Sequence, residues 1–428
     1  MKIFITGVTG ESLPPPYAGI PKHSLLLARA WRDAGADVVV TFTYERPEPD
    51  DLGAHATYYF EYKASPTKLT KLLFLVRFAL RNPMLYMALL NAARHAERRF
   101  SREIVLYSAY GVFLDTLFAK EKPDVVLSET GLIKTFMAAE VCARRGIPLV
   151  IHTYAEVHDL TMSPNKLLAK TPGLVDEYWS RFLGKAAAVL APSWYCAKAP
   201  AKYVAKDRVH MIYFGIDIAP YLDSTATRAE ARAHFGLPTD GFYAIAVGAF
   251  SLRKGHDHLI KAAAILARQG KPLSVLLCGP GDQEKLKHLA EEEGVGEFVH
   301  FFTGLSEAEL VMLYRAADVY CDASNTVRAC LGMSLTEGMA AGLPSVSYDA
   351  GGMPEVVLNE DNGFVVPTNE IPLLAEALDR VRNLSDAART HMGERGREIA
   401  RSTVDIANEG RDVLALLSKV AQEHKSRI

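Results

Sequence analysis

The chain has 428 residues, 49% of them hydrophobic, and a formal net charge of −2. That length allows two or three domains with buried cores, and the near-neutral charge excludes a global electrostatic pull toward nucleic acid. The five cysteines, Cys142, Cys196, Cys278, Cys321 and Cys330, contain no Cys-x-x-Cys pair, which speaks against a zinc site or a disulfide framework and for a reducing, cytoplasmic compartment.

The opening MKIFITGVTGESLPPPYAG reads as a β-strand running into a glycine turn. A dinucleotide fingerprint needs three glycines and a helix packed directly on the strand. Gly7 and Gly10 are present, but the third position is Leu13, and Pro14, Pro15 and Pro16 follow. Proline in a helix interior removes a donor and clashes with the preceding turn, so the opening is not expected to hold a pyrophosphate in the oxidoreductase manner. Tyr59 and Lys63 match a Tyr-x-x-x-Lys pair, but too soon after the first strand to serve a reductase. The apolar start is cut at glycine and LLFLVRFAL is cut by Arg77, so neither a secretory leader nor a membrane span is expected.

From there, β-branched runs alternate with helical patterns: a helix over 21–35, ADVVVTF, helices between about 67 and 120, DVVLSE, a helix over 132–145, PLVIHTY, a helix over 176–186 and AAVLAPS. A second series follows: FYAIAVGAF, helix 256–269, LSVLLCG, helix 282–293, FVHFFTG, helix 306–316, DVYCDAS, helix 334–341 and PSVSYDA. Alternation of this kind predicts two parallel sheets of right-handed βαβ units, an α/β class with two doubly wound Rossmann-like domains facing across a cleft. The expected division is a first domain over 1–213, a linker over 214–240 that lacks a strong strand, a second domain over 241–405, and a C-terminal helix over 406–428 packing back on the first domain. Ligands in such sheets sit outside the carboxyl ends of the strands.

The stretch DASNTVRACLGMSLTEGMAAGLPSVSYDAGGMPEVVLNEDNGFVVP sets a glycine loop before a short helix. The amides at that helix start, near Gly332, Met333 and Ser334, suit a nucleotide diphosphate. Ser334 and Glu337 also have the spacing of a capping box, a purely structural use of the same residues.

The segment resembles the signature of retaining glycosyltransferases of family 4, which have the GT-B fold. Gly332, Glu337, Met339, Ala340, Gly342, Pro344, Gly351, Gly352, Pro354 and Glu355 match its glutamate, glycine and proline pattern, as do Asn362 and Gly363 beyond it. VGAFSLRKGHDHLIKAA, CGPGD, YFGID, PPYAGIPKHSLLLARAW and PLVIHTY resemble further blocks of that family, so the likeness covers most of the chain except about 45–105.

The resemblance implies a first domain that takes the acceptor, a second that takes a nucleotide sugar, and roles for individual residues. Glu337 would accept hydrogen bonds from the donor ribose, and Lys254 would neutralise the departing diphosphate, with no metal and no cofactor beyond the nucleotide-sugar substrate. Gly19 would let the first domain approach the donor phosphate or the acceptor. Three positions depart from the pattern: Ala155, Ala249 and Ala329 stand where the family has histidine, arginine and glutamate. Glu156 and His158, Arg253 and Arg328 lie beside them and are expected to substitute, the first two near the sugar or the acceptor. The expected activity is retaining transfer from a nucleotide diphosphate sugar, UDP before GDP, to a hydroxyl of a glycan, a lipid-linked or a small-molecule acceptor. Two alternatives stay open: a catalytically silent nucleotide-sugar binder or partner subunit, and a nucleotide-sugar 2-epimerase of the same fold.

Residues 63–102 carry Lys63, Lys68, Lys71, Arg77, Arg81, Arg94, Arg98, Arg99 and Arg102 against only Glu97 and Glu103 nearby. If 84–104 is one helix, Arg94, Arg98 and Arg102 share a face. That face either rests on anionic lipid at the inner membrane surface or is simply solvated.

Overall fold

The computed structural model describes residues 1–9, 19–43, 57–60, 98–129, 132–153, 183–325 and 330–427, with Ser180 and isolated helical positions between 72 and 87. The chain divides into two compact units. One comprises Met1–Pro192, Cys196–Ile212 and Gly410–Ile428, the other Ser193–Tyr195 and Tyr213–Glu409.

The first unit is built on a seven-stranded sheet of order β3-β2-β1-β4-β5-β6-β7. Its strands are β1 (Lys2–Thr9), β2 (Asp37–Thr43), β3 (Thr57–Phe60), β4 (Val125–Glu129), β5 (Leu149–His152), β6 (Ala188–Ala191) and β7 (Val209–Met211). Every pairing is parallel. A parallel sheet is covered on both faces, so its central strands are apolar at every position rather than at alternate ones. Ile3, Phe4, Ile5, Val38, Val39, Val40, Val125, Val126 and Leu127 are accordingly almost wholly buried. Each such side chain contributes roughly 1.5–3 kcal/mol relative to exposure.

The helix Gly19–Asp33 follows β1, and Arg98–Glu121 and Leu132–Arg145 flank β4. Tyr59 sits in the edge strand β3 and donates its hydroxyl to Glu121, a structural use of half of the Tyr-x-x-x-Lys match. The last helix, Ile406–Lys425, starts in the second unit and ends in the first. There Val413, Leu416, Leu417 and Val420 are buried, Trp31 donates its indole N–H to the Gly410 carbonyl at 2.8 Å, and Lys425 pairs with Asp124 at 2.6 Å.

The second unit carries a six-stranded parallel sheet of order β10-β9-β8-β11-β12-β13. The strands are β8 (Tyr243–Val247), β9 (Ser274–Cys278), β10 (Val299–Phe302), β11 (Val319–Asp322), β12 (Ser345–Tyr348) and β13 (Gly363–Val366). Both sheets therefore repeat one winding scheme, with the strand order reversing between β1 and β4 in one and between β8 and β11 in the other.

The stretch expected as a linker, 214–240, is part of the second unit. Phe214, Ile216, Ile218, Tyr221, Ala231 and Leu237 are buried. Arg232 reaches Asp318 at 2.7 Å and the Ala316 carbonyl at 3.0 Å, while the same carboxylate accepts the Tyr243 amide at 2.8 Å. A polar segment without a strand reads as a connection, but its spaced apolar residues are core. Among the described residues no helix is long and apolar enough to cross a membrane.

Candidate functional site

β8 and β11 are adjacent, with Val319 opposite Ala244 and Tyr320 opposite Ile245, and their carboxyl ends form the switch point of the second sheet, where open α/β sheets take ligands. Lys254 and Arg253 lie in the 3₁₀ turn Leu252–Lys254 that follows β8. Gly332, Met333, Ser334 and Glu337 lie after β11.

Two close approaches explain the glycines beside Lys254. Gly255 has φ +63°, and a Cβ there would stand 1.9 Å from the Ala323 carbonyl oxygen. The turn is thereby pressed against the exit of β11, and the Asn325 amide closes it by donating to the Arg253 carbonyl at 3.2 Å. A Cβ on Gly248 would lie 3.0 Å from Lys254 Cε and 3.2 Å from its Cδ, so the lysine stem runs across bare backbone. Lys254 is half-buried and Arg253 is exposed.

His256, at the next helix start, is buried, with Nε2 3.2 Å from the Gly248 carbonyl. Burial pushes its pKa down, as does Lys254, while the Gly248 carbonyl and Asp322 act in the opposite sense.

The helix Met333–Ala340 begins at Gly332, whose φ is +75° and which caps without a side chain. A Cβ on Gly332 would stand 3.0 Å from Asp322 Oδ2, so this loop and the Lys254 turn share the Asp322–Ala323 wall. The first i→i−4 bond runs from the Thr336 amide to the Gly332 carbonyl at 3.1 Å. The amides of Met333, Ser334 and Leu335 precede it and point out of the helix start.

A capping box at Ser334 and Glu337 is excluded by this geometry, because the N-cap is Gly332 and Ser334 already lies inside the helix. Real capping boxes occur at Thr227/Glu230 and Ser306/Glu309, where an exposed carboxylate returns to the cap amide at 2.8 Å. Glu337 instead turns inward. It is buried and accepts a hydrogen bond from the Tyr314 hydroxyl at 2.9 Å. Tyr320 donates to the Ser334 hydroxyl at 2.8 Å, Tyr314 and Tyr320 are stacked at 6.0 Å, and Tyr221 meets Tyr314 edge-on at 5.5 Å. This aromatic wall holds the carboxylate in one place. Burial, followed by the nearby Glu337 charge, raises the Tyr314 and Tyr221 pKa values far above the ordinary range, so both hydroxyls stay protonated, and that of Tyr314 is the donor to Glu337.

Farther along, Glu355 accepts from the amides of Trp194 and Tyr195 at 2.8 and 2.7 Å. A Cβ on Gly352 would meet the Cys330 carbonyl at 2.0 Å. The Gly-Gly-x-x-Glu portion of the motif therefore closes the loop behind Gly332.

Two comparisons identify the architecture. Residues 18–215 match the model described as the glycosyl transferase 4-like domain, and residues 227–399 match that described as glycosyl transferases group 1, together covering most of the chain. The chain belongs to the group 1, family 4-like glycosyltransferases of GT-B fold.

Among curated proteins it is similar to a D-inositol 3-phosphate glycosyltransferase of Saccharomonospora viridis, 30% identical over 256 residues that cover 56% of this chain and 57% of that protein. The chain spans about half the length of the curated relatives it matches. Among solved structures, a sucrose-phosphate synthase from Thermosynechococcus elongatus superposes with a TM-score of 0.76 at 19% identity, covering 98% of each chain. HepE of Anabaena in complex with UDP-glucose superposes with a TM-score of 0.69 at 19% identity, over 98% of this chain and all of that one.

In this chain, Lys254, Gly332, Met333, Ser334 and Glu337 are gathered at one switch point, and Arg253 borders it from the exposed side of the turn. Ala249 is exposed. Glu156, His158 and Arg328, like Ala155 and Ala329, lie outside the described residues. Gly19 opens the helix after β1 in the first unit.

That unit also holds a buried polar cluster whose two histidines, His23 and His152, fall in blocks resembling the family but were not singled out as site residues. His152 at the end of β5 places Nδ1 3.7 Å from Oε2 of Glu129 at the end of β4. The His23 ring lies 5.7 Å from that of His152. Burial, reinforced by His152, pushes the His23 pKa down to about 3, which keeps it neutral. The available signal was position: a glutamate and a histidine each end a strand at the ligand edge of a parallel sheet.

Proposed function

We propose that the protein is a retaining, metal-independent glycosyltransferase that moves a sugar from a nucleotide diphosphate sugar, UDP-linked in preference to GDP-linked, to an acceptor hydroxyl. The observation that carries this reading is the pairing at one switch point of a buried carboxylate, Glu337, with a lysine, Lys254, and a helix start between them in the β11 loop. A carboxylate held by Tyr314 suits the two ribose hydroxyls of a nucleotide. A cation and helix amides suit the charge that grows on a departing diphosphate, without a metal or a resident cofactor. The UDP-glucose complex of HepE supports the UDP preference. The relatives named D-inositol 3-phosphate glycosyltransferases support a polyol or sugar hydroxyl as acceptor, with glycan and lipid-linked hydroxyls in the same chemical class.

Incubation with UDP-glucose, UDP-N-acetylglucosamine and GDP-mannose, followed by proton NMR of the products, tests the reading. Slow hydrolysis or transfer with release of an α-configured sugar is the expected result. An isomerised donor would assign the 2-epimerase reaction, and binding without turnover would assign a silent binder, the outcome that Ala155, Ala249 and Ala329 favour.

The proposed location is cytoplasmic, with peripheral attachment to an anionic membrane. Support comes from apolar rather than basic residues. Leu72, Leu73, Val76, Leu80 and Met87 are helical and exposed, Leu80 at 79%, and 73, 76, 80 and 87 recur at helical spacing. Of the basic face, Arg98 and Arg102 fall in the helix Arg98–Glu121, while their side chains and Arg94 lie outside the described residues. Liposome flotation checks the attachment: Leu73→Glu with Leu80→Glu is expected to lower the bound fraction at least fivefold on vesicles containing phosphatidylglycerol, and an unchanged fraction would count against it.

A further inference from the structure

A cavity of about 360 Å3 lies at the amino-terminal edge of the second sheet, opposite the edge that carries Lys254 and Glu337. Ala317 lines it just before β11, and Gly342, Leu343 and Pro344 line it on the way into β12. Four arginines, Arg228, Arg315, Arg389 and Arg397, face two carboxylates, Asp386 and Glu394. That leaves two positive charges on the lining. Asp318, behind the wall, is shared between Arg228 at 3.1 Å and Arg232 at 2.7 Å and so does not alter the balance.

Three of these arginines have structural duties. Arg389 pairs with Asp386 and donates to the carbonyls of Arg382 and Leu384 at 3.3 and 3.4 Å, closing the end of the helix Ile371–Asn383. Arg397 pairs with Glu394 and donates to the carbonyls of Ala340 and Ala341 at 3.3 and 2.8 Å, packing so closely on Gly342 that a Cβ there would lie 2.5 Å from its Cζ. Arg228 has Asp318.

Arg315 is different. Among the described residues it has no carboxylate partner. It donates one hydrogen bond, to the Ser224 carbonyl, and its Nε is buried without a partner. Partial burial and the neighbouring Arg397 and Arg228 push its pKa below the ordinary arginine range, against the weaker opposite pull of Glu394. A half-buried guanidinium flanked by like charges is a costly arrangement unless an anion completes it.

We propose that this cavity binds a phosphate-class dianion, inorganic phosphate or a small phosphomonoester, with Arg315 as its principal ligand and Arg228 and Arg397 beside it. The guanidinium fork matches phosphate oxygens two at a time, a dianion balances the two excess positive charges, and the cavity volume is in the range of small-molecule sites. The cavity floor is the turn that ends the helix Met333–Ala340, so an occupant sits at the far end of the helix that carries Glu337, and the site is separate from the donor position.

Isothermal titration of the full chain with inorganic phosphate and with glucose 6-phosphate, at constant ionic strength in chloride, tests this. One-to-one binding is expected, weakened at least tenfold by Arg315→Gln and unchanged by Lys254→Ala. Phosphate is also expected to raise the melting temperature of the wild type and not that of Arg315→Gln. Tighter binding of glucose 6-phosphate assigns a phosphomonoester ligand, and tighter binding of phosphate assigns the inorganic ion. No binding, binding unaltered by Arg315→Gln, or loss on Lys254→Ala would overturn the proposal. So would a variant that melts well below the wild type in chloride alone, since Arg315 would then serve the fold.

Discussion

Lys254→Ala is expected to lower turnover with a UDP-sugar donor by about 10²–10³-fold, the usual scale for removing one group that stabilises developing charge, while donor affinity changes by less than about tenfold. The asymmetry follows from when the charge appears. In a donor bound as proposed, the diphosphate negative charge would be spread over both phosphates and partly met by the helix-start amides of Met333–Leu335. As the sugar–oxygen bond breaks, an additional charge collects on the leaving phosphate, and only then does a nearby ammonium add its full attraction. The stem of Lys254 lies over Gly248 with no side chain to deflect it, so its amine is aimed with little freedom left to lose. Lys254→Arg is expected to restore only part of the rate, because the wider planar group must cross the same bare backbone. Steady-state kinetics beside donor titration separates the effects; an affinity loss equal to the rate loss would show that Lys254 binds ground state and transition state alike.

The repeated winding of the two sheets was legible because buried parallel strands are apolar at every position, as in KIFITG, DVVLSE and YAIAV. What escaped were three strands at the ends of the two strand orders. Thr57–Phe60, Val209–Met211 and Gly363–Val366 have four residues or fewer and lie at sheet edges or ends of the strand order, where one side of the ladder is unpaired and fewer apolar residues are required. Segment 214–240 escaped for a related reason: its core residues are spread singly between turns, so no period marks them.

The site divides in the same way. Lys254, Gly332 and Glu337 were singled out by their resemblance to the family signature, and the structure places all three beyond the carboxyl ends of β8 and β11. The Ser334/Glu337 spacing misled because a capping box and a buried carboxylate differ only in where the helix starts, and the positive φ of Gly332 moves that start two residues earlier. His23, Glu129 and His152 come from three separate segments and are neighbours only through the order of β1, β4 and β5. Arg315 is likewise ordinary in sequence, and becomes distinctive only when the carboxylates around it are found to belong to other arginines.

Glu337→Gln should weaken UDP binding itself, not only UDP-sugar binding, by about 10²-fold. Two hydrogen bonds from ribose hydroxyls to an ionised carboxylate contribute about 1.5–3 kcal/mol each. A neutral amide accepts through one oxygen only, and its NH2 group is set against hydroxyl donors. A net loss of roughly 2.7 kcal/mol corresponds to the hundredfold change. The variant keeps the shape of the side chain and leaves Tyr314 an oxygen to donate to, so the fold is expected to survive. Tyr314→Phe, which removes the 2.9 Å hydrogen bond while keeping the stacked ring, should cost donor binding only about three- to tenfold, through loss of positioning. The decisive comparison uses 2′-deoxy-UDP and 3′-deoxy-UDP. If Glu337 receives the ribose hydroxyls, the deoxy ligands bind the wild type weakly and lose little more in Glu337→Gln, because ligand and protein changes remove the same interaction. Additive losses in that cycle would place the ribose elsewhere and leave Glu337 as part of the aromatic wall alone.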